Sequence, residues 1–547
     1  MFANLSDLGE TKQISCDLCI VGGGAAGITI AREMIGSPLS VCLVESAEEY
    51  HQPTQDLYQA TQQSRKRSRS LETGVHYGAT AHLSRIRHFG GTTNHWGGYC
   101  IPLTPHDLAK KDWMPDSGWP IEWEELNAFY PRAQAICGAG PFVYDERLWD
   151  TTSRKSYAFD PDYIVNRFFQ FSPPIRFGDK YGDDLKSAAN INVLFDANAV
   201  KIGLQSNTKS ADHIAVRSLK GKTAHIRARH YIIACGGMEN ARLLLDSNDV
   251  TSDGVGNSRG LVGRYFMDHL YDTIGALLVS ERPQKILDQY AETVPDKPSH
   301  PLAGKEPTMF QPIFSASEAA QNRNKAGGVI VMLRGEWARP DEGIDAVYQA
   351  IHDQNREVTG EYGDHLLDIL FNLDTSLTEM KSYMQGKHPD HMPVLFAIAE
   401  QAPNRDSRIT LSDQRDALGR PRAHIDWQLS ETDLRTFAQM PRLLAREFGR
   451  LGIGRVHVSP WLDEDAIYLY RKDFSRVLEP GRHHSGTTRM ASDPAKGVVN
   501  AECRLFDVEN ISIAGSSVFP TIGYANPTLT IVALALRLAE HLKKQLA

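Results

Sequence analysis

The sequence predicts an α/β fold in which one domain, built on a parallel sheet, is assembled from separated segments with insertions between them. Three observations predict it. "CDLCIVGGGAAG" (16–27) runs from an apolar strand through a glycine turn into a helix. "HYIIACGGMENARLLLDS" (230–247) repeats that order in mid-chain, and "ENISIAGSS" (509–517), with a long helical stretch after it, repeats it at the end. Such near-continuous apolar strands suit a parallel sheet covered on both faces. With 547 residues the chain exceeds one simple core, so two or more domains are expected.

The elements follow in order. The first helix is predicted to reach Ile35, and "VCLVE" (41–45) is the second strand. Residues 50–80 are polar and hold "RKRSRS" (65–70), which reads as a solvated loop or as a patch for phosphate or an acidic partner. "RHFGGTTNHWGGYC" (87–100) packs two Gly-Gly pairs into a short window, and a Trp- and Pro-rich excursion follows. "NINVLFDANAVKIGL" (190–204) alternates like strands. Between 270 and 478 strand-like "GGVIVMLRG" and "PVLFAIAEQ" are mixed with helical "ETDLRTFAQMPRLLAREFGRLG". The final helix is predicted over 527–544; it is apolar almost all round and should be buried.

Bulk properties exclude several classes. Hydrophobic residues make up 41% and charged residues 23%, as in an ordinary globular protein. A net charge of −8 leaves no footprint for nucleic acid or an anionic membrane. No apolar run is long enough for a membrane span, and no secretory signal is visible at the N-terminus. Seven cysteines, an odd number without paired spacing, point to reduced thiols and a cytoplasmic location. Cys16 and Cys19 form a C-x-x-C within a strand; no second pair follows, so they read as core residues and no metal is expected.

Gly22-x-Gly24-x-x-Gly27 follows a strand, opens a helix, and has Glu45 at the end of the next strand. That context suits a dinucleotide: the first glycine allows the turn, the second admits a pyrophosphate, and the third lets helix and strand pack. The helix N-terminus attracts the phosphate charge, and Glu45 can accept hydrogen bonds from ribose hydroxyls. In the second glycine window Gly90-Gly91 and Gly97-Gly98 suit a chain pressed against a planar ligand. Between them Thr92, Thr93 and Asn94 offer short hydrogen-bonding groups, followed by His95, which reads equally as a structural histidine.

Asn526 precedes Pro527, which suits the first turn of the final helix. The positive end of that helix would stabilise an electron-rich reduced flavin, and a nicotinamide would gain nothing comparable, so FAD is favoured over NAD. "GRHHSGTTRM" (481–490) sets His483 beside His484. Neighbouring side chains in an extended segment point in opposite directions, so only one can face a reacting atom. Oxidising an alcohol needs a base for the hydroxyl proton, and imidazole suits that near neutral pH. The Asn526 carboxamide can hold the substrate oxygen.

These residues resemble the glucose–methanol–choline (GMC) family of FAD oxidoreductases, and within it the pyranose-oxidase-like branch. The resemblance is strongest in 14–47, 85–105, 190–270 and 478–547. It implies an FAD-binding domain made of 1–105, 190–269 and 479–547, with 106–189 and 270–478 forming an α+β substrate-binding domain on a mainly antiparallel sheet. It places the catalytic histidine at His483 and its partner at Asn526, with His484 turned away. Flavin contacts fall on Gly91, Thr92, Asn94, Val200, Ala234, Gly515, Ser516 and Pro527. In pyranose oxidases the residue at the position of His95 bonds covalently to the flavin; the neighbours here differ from that branch's "STHW", which leaves covalent and free FAD both open. "GNSRGLVGRYFMDH" (256–269) matches a family signature to which no role is assigned.

The resulting expectation is an FAD-dependent enzyme that oxidises a CH–OH group of a sugar, glycoside or related alcohol. Its flavin would be reoxidised by oxygen, a quinone or a redox protein. A redox-neutral or biosynthetic tailoring enzyme of the same fold is the alternative. A silent FAD scaffold needing a partner protein is the alternative from another class, and oligomerisation is open.

Overall fold

The computed structural model of the chain describes residues 1–9, 13–62, 81–297, 299–300, 308–336, 392–459, 462 and 479–546. The basic run 65–70 lies outside the described residues. Among the described residues eight strands form the first sheet. Its parallel part has the spatial order Phe2–Asn4, Ile191–Phe195, Val41–Val44, Gln13–Val21 and Thr223–Ile233. Ile511–Ile513 joins the end of the last of these, also parallel. Three segments far apart in the sequence therefore meet side by side. Leu18 lies opposite Val41 on one side and His230 on the other, and Tyr231 lies opposite Cys19 and Ile511.

Both faces of this sheet are covered, which is why its strands carry no polar alternation: Leu18, Cys19, Ile20, Val41 and Leu43 are all buried. Helix Ala25–Glu33 packs against the final helix, Thr528–Leu546, which also packs on Tyr130–Ile136. The early part of Thr223–Ile233 instead pairs antiparallel with Ala211–Arg217, and that strand with Asn198–Leu204.

The second sheet is antiparallel throughout. Its order is Gly454–Val458, Leu270–Val279, Met392–Ala399, Val329–Glu336, Phe310–Ala316, Ile164–Phe171 and Tyr99–Cys100. Helix Glu431–Arg450 lies across it, burying Leu434, Phe437, Met440, Leu444 and Phe448 at helical spacing. A capping box of Ser430 and Asp433 starts that helix.

A third sheet joins the hairpin Arg408–Arg415/Pro421–Asp426 to Thr61–Gln62 and sits on helix Gly236–Asp246. Buried ion pairs fix it there: Arg242 to Asp416 at 2.5 Å and Arg420 to Asp246 at 2.8 Å. Arg85 and Arg242 both reach Glu239 at 3.1 Å. Burial alone would raise the Glu239 carboxyl, but Arg242, Arg85 and Arg87 around it hold it at about 2. We propose the expected two-domain division of the chain, crossed by several elements: Tyr99–Cys100 and Glu479–Pro480 join the antiparallel sheet, while Tyr130–Ile136, Phe177–Ser187 and the 408–426 hairpin pack on the parallel-sheet side.

Candidate active site

The first glycine turn is built as its spacing requires. Gly22 has φ +108°, and a Cβ there would stand 2.5 Å from the Ala234 carbonyl oxygen. A Cβ on Gly27 would lie 1.9 Å from the Gly22 carbonyl oxygen, so the helix can approach the turn only without a side chain. Gly24 differs: its nearest neighbour would be the Gly91 Cα at 3.9 Å, because this residue faces a cavity. Glu45 is buried and accepts hydrogen bonds from the Gly23 N–H at 2.7 Å and the Ser46 N–H at 2.5 Å.

The cavity encloses about 370 Å³ and runs from this turn to the start of the final helix. Of the residues expected from the sequence, Gly22, Gly24, Glu45, Gly91, Thr92, His95, Ala234, Gly515, Ser516 and Pro527 line it, as do His483 and Asn526. Gly27, Asn94 and Val200 do not. Gly27 serves the helix–turn contact. Asn94 folds back to donate to the Phe89 carbonyl at 2.9 Å, bracing the loop in which Gly90 has φ +95°. Val200 packs with Leu57 and Leu418, leaving Ala197 and Ala199 to form that wall.

At the far end the 481–485 segment runs antiparallel to 267–269. Gly481 N–H donates to the His269 carbonyl at 2.8 Å, and Ser485 and Met267 exchange backbone bonds at 2.9 and 3.0 Å. Arg482 has φ +65°, an unusual conformation for a residue with a side chain. Its N–H and that of His483 donate to the two oxygens of buried Asp268 at 3.1 and 2.6 Å. The two histidines point apart. His484 stacks on Phe266 and lies 3.5 Å from the Ser84 hydroxyl. His483 packs edge-on against Tyr271 and brings Nε2 to 3.3 Å from Asn526 Nδ2. Burial, then the neighbouring His269 and His484, hold the His483 imidazole well below its usual range, so it is neutral.

The sequence profile of the GMC oxidoreductase family matches residues 403–535. The 2-methyl-1,2-propanediol dehydrogenase of Mycolicibacterium austroafricanum is 21% identical over 98% of this chain and 96% of its own. The paromamine 6'-oxidase of Streptomyces fradiae is 24% identical over 96% of this chain and 90% of its own. Residues 403–535 are therefore a GMC oxidoreductase C-terminal domain. The fold agrees: the FAD-dependent oxidoreductase from Chaetomium thermophilum superposes with a TM-score of 0.57 at 14% identity, covering 97% of this chain and 99% of that chain.

The cavity fits FAD. Gly24 and Gly91 present bare backbone where a pyrophosphate must approach, at the N-terminus of helix Ala25–Glu33. Buried polar atoms without a partner are found at both ends: Arg87 Nε and Arg420 Nη2 near Glu239, and Asn526 Oδ1 beside His483. All three residues line the cavity. Unpaired buried groups of this kind are costly unless a ligand satisfies them.

Sequence reasoning did not reach Arg87, Arg420, Asp268, His269 or Tyr271. Asp268 and His269 close the quoted signature "GNSRGLVGRYFMDH" and Tyr271 follows it, but only the fold reveals that it pairs with residues some 214 positions later. Arg87 lies within the quoted glycine window, where nothing in its spacing distinguishes it from a surface arginine.

Proposed function

We propose that the enzyme oxidises a CH–OH group of a sugar, glycoside or related alcohol, with His483 as base and Asn526 as its partner. The observation that carries this reading is the convergence of His483 Nε2 and the Asn526 carboxamide, 3.3 Å apart, on one end of the cavity. The names of the two full-length relatives, acting on a diol and on an aminoglycoside, support an alcohol or sugar substrate.

A neutral imidazole accepts the hydroxyl proton at Nε2, and its protonated form is the better partner for an oxygen gaining negative charge. Asn526 Nδ2, 3.3 Å from that nitrogen, can donate to the substrate oxygen and orient it. Around the base His269 and Asp268 are buried and Tyr271 is half-buried, a wall that limits the access of water. FAD, when bound, supplies the acceptor for the hydride leaving the carbon. His95 lines the same cavity and is held below the usual histidine range by burial, then by Arg482 and Arg176. It is therefore neutral, as a ring nitrogen bonding to the flavin must be, and colour retained in an acid-precipitated pellet would identify such a bond.

Among the described residues no helix is long and apolar enough to cross a membrane. All seven cysteines are unpaired, which supports the cytoplasmic reading. The test is anaerobic bleaching of the yellow protein by a panel of diols, sugars and aminoglycosides. At least one alcohol is expected to reduce it, and oxygen, a quinone or a redox protein is expected to restore the colour. A colourless protein, or a yellow one that no alcohol bleaches, contradicts the proposal.

A further inference from the structure

We propose that His269 is a positioning residue that fixes which nitrogen of His483 offers its lone pair to the substrate hydroxyl. The inference rests on the reading of His483 as the base.

The hydrogen-bond directions leave one arrangement. His269 Nε2 lies 2.9 Å from the Gly523 carbonyl oxygen. A carbonyl only accepts, so Nε2 carries the hydrogen and donates. A neutral imidazole has a single N–H, so His269 Nδ1 is an acceptor. Its partner at 2.8 Å is His483 Nδ1. That nitrogen must therefore carry the hydrogen, and His483 Nε2 is left bare toward Asn526 and the cavity. Burial lowers His269 to about 4, which keeps it neutral in this role.

The relay is mounted on a buried frame. Gly523, whose carbonyl orients His269, has its N–H held by Glu400 Oε1 at 3.2 Å, and Glu400 Oε2 accepts the Gly328 N–H at 2.9 Å. The Asp268 carboxyl clamps the backbone of His483 from the other side at 2.6 Å. When His483 takes up a proton at Nε2, its Nδ1–H becomes a charged donor and its bond to His269 strengthens. A carboxylate at that place would also orient the ring, but its charge would favour imidazolium at rest. An uncharged imidazole orients the base and leaves it free to accept a proton.

Enzyme labelled with ¹⁵N-histidine tests this directly, with the His483 signals assigned by their loss in His483→Gln. In neutral buffer the wild-type protein is expected to show a protonated Nδ1 and a bare Nε2 at His483. His269→Asn keeps an oxygen acceptor near the position of Nδ1 and is expected to retain that tautomer. His269→Leu removes the acceptor and is expected to give mixed tautomers. With an alcohol that bleaches the wild-type flavin, His269→Leu should slow reduction about 10- to 100-fold with KM little changed, and His269→Asn should recover most of the loss. A His483 carrying its hydrogen on Nε2 in the wild type, or an unchanged tautomer in His269→Leu, overturns the proposal. Should His269→Leu not fold, the wild-type and His269→Asn spectra decide alone. If His483→Gln is reduced at the wild-type rate while the tautomer behaves as stated, the base assignment fails and the orienting contact stands.

Discussion

His483 Nε2 and Asn526 Nδ2 lie 3.3 Å apart across 43 residues of chain. Two unrelated devices produce that contact. His483 is held by backbone pairing with 267–269 and by the Asp268 carboxyl. Asn526 is held by the Pro527 turn that opens a buried helix.

Asn526→Ala removes the carboxamide beside the base without touching the glycine turn that faces the other end of the cavity. Flavin content is expected to stay near wild type, and the rate of anaerobic reduction to fall by about 10-fold or more, the value of a lost hydrogen bond to a reacting group. Single-turnover absorbance at the flavin band measures both.

Gly24 and Gly27 are expected to fail in different ways. Gly27→Ala puts a methyl 1.9 Å from the Gly22 carbonyl oxygen, so soluble yield and Tm should drop. A Cβ on Gly24 meets nothing closer than 3.9 Å, so Gly24→Val should fold with near-normal Tm yet purify with little or no flavin. Thermal melts and the ratio of flavin to protein absorbance separate the two.

His484→Ala should reduce the flavin within a few-fold of the wild-type rate, because that ring stacks on Phe266 and not on the base. Loss of the stack should instead lower Tm by a few degrees. Equal loss of rate in the His483 and His484 variants would reverse the assignment.

Stability should peak near pH 6.5. His230 and His269 are each lowered to about 4 by burial, and His483 and His484 well below the usual value. Below pH ~6.5 the unfolded chain takes up protons on these rings that the folded one refuses, so stability falls as pH drops toward 4. Burial raises Asp268 to about 8 and Asp433 to about 7. Those protons are kept on folding and lost on unfolding, so this pair contributes the opposite slope, and it dominates from pH ~6.5 to 8, where the histidines are neutral in both states. Tm measured across pH 4 to 9 checks the sign on each side of the maximum.

Much of the nucleotide-facing half was legible because its signals are local. Gly22, Gly24, Gly27 and Glu45 sit within one strand–turn–helix–strand unit, and the burial of the final helix follows from its own apolar residues. Asn526 and the His483–His484 pair stood out in the sequence, before a proline at a helix start and before a glycine turn, but it was the resemblance to the GMC family that chose His483 as the proposed base. What stayed hidden depends on contacts distant in sequence. Nothing in "YFMDH" says that its aspartate clamps Arg482 and His483, or that its histidine meets His483 at 2.8 Å. Val200 and Asn94 were expected at the cavity wall; their side chains turn into the protein because leucines and a free carbonyl lie behind them.

The most direct measurement is stopped-flow flavin reduction by a bleaching alcohol in His483→Gln, a variant close in size to the wild type. Retained yellow colour with reduction slowed by about 10²- to 10⁴-fold is the result this account predicts. Reduction at the wild-type rate, with flavin content unchanged, would contradict it.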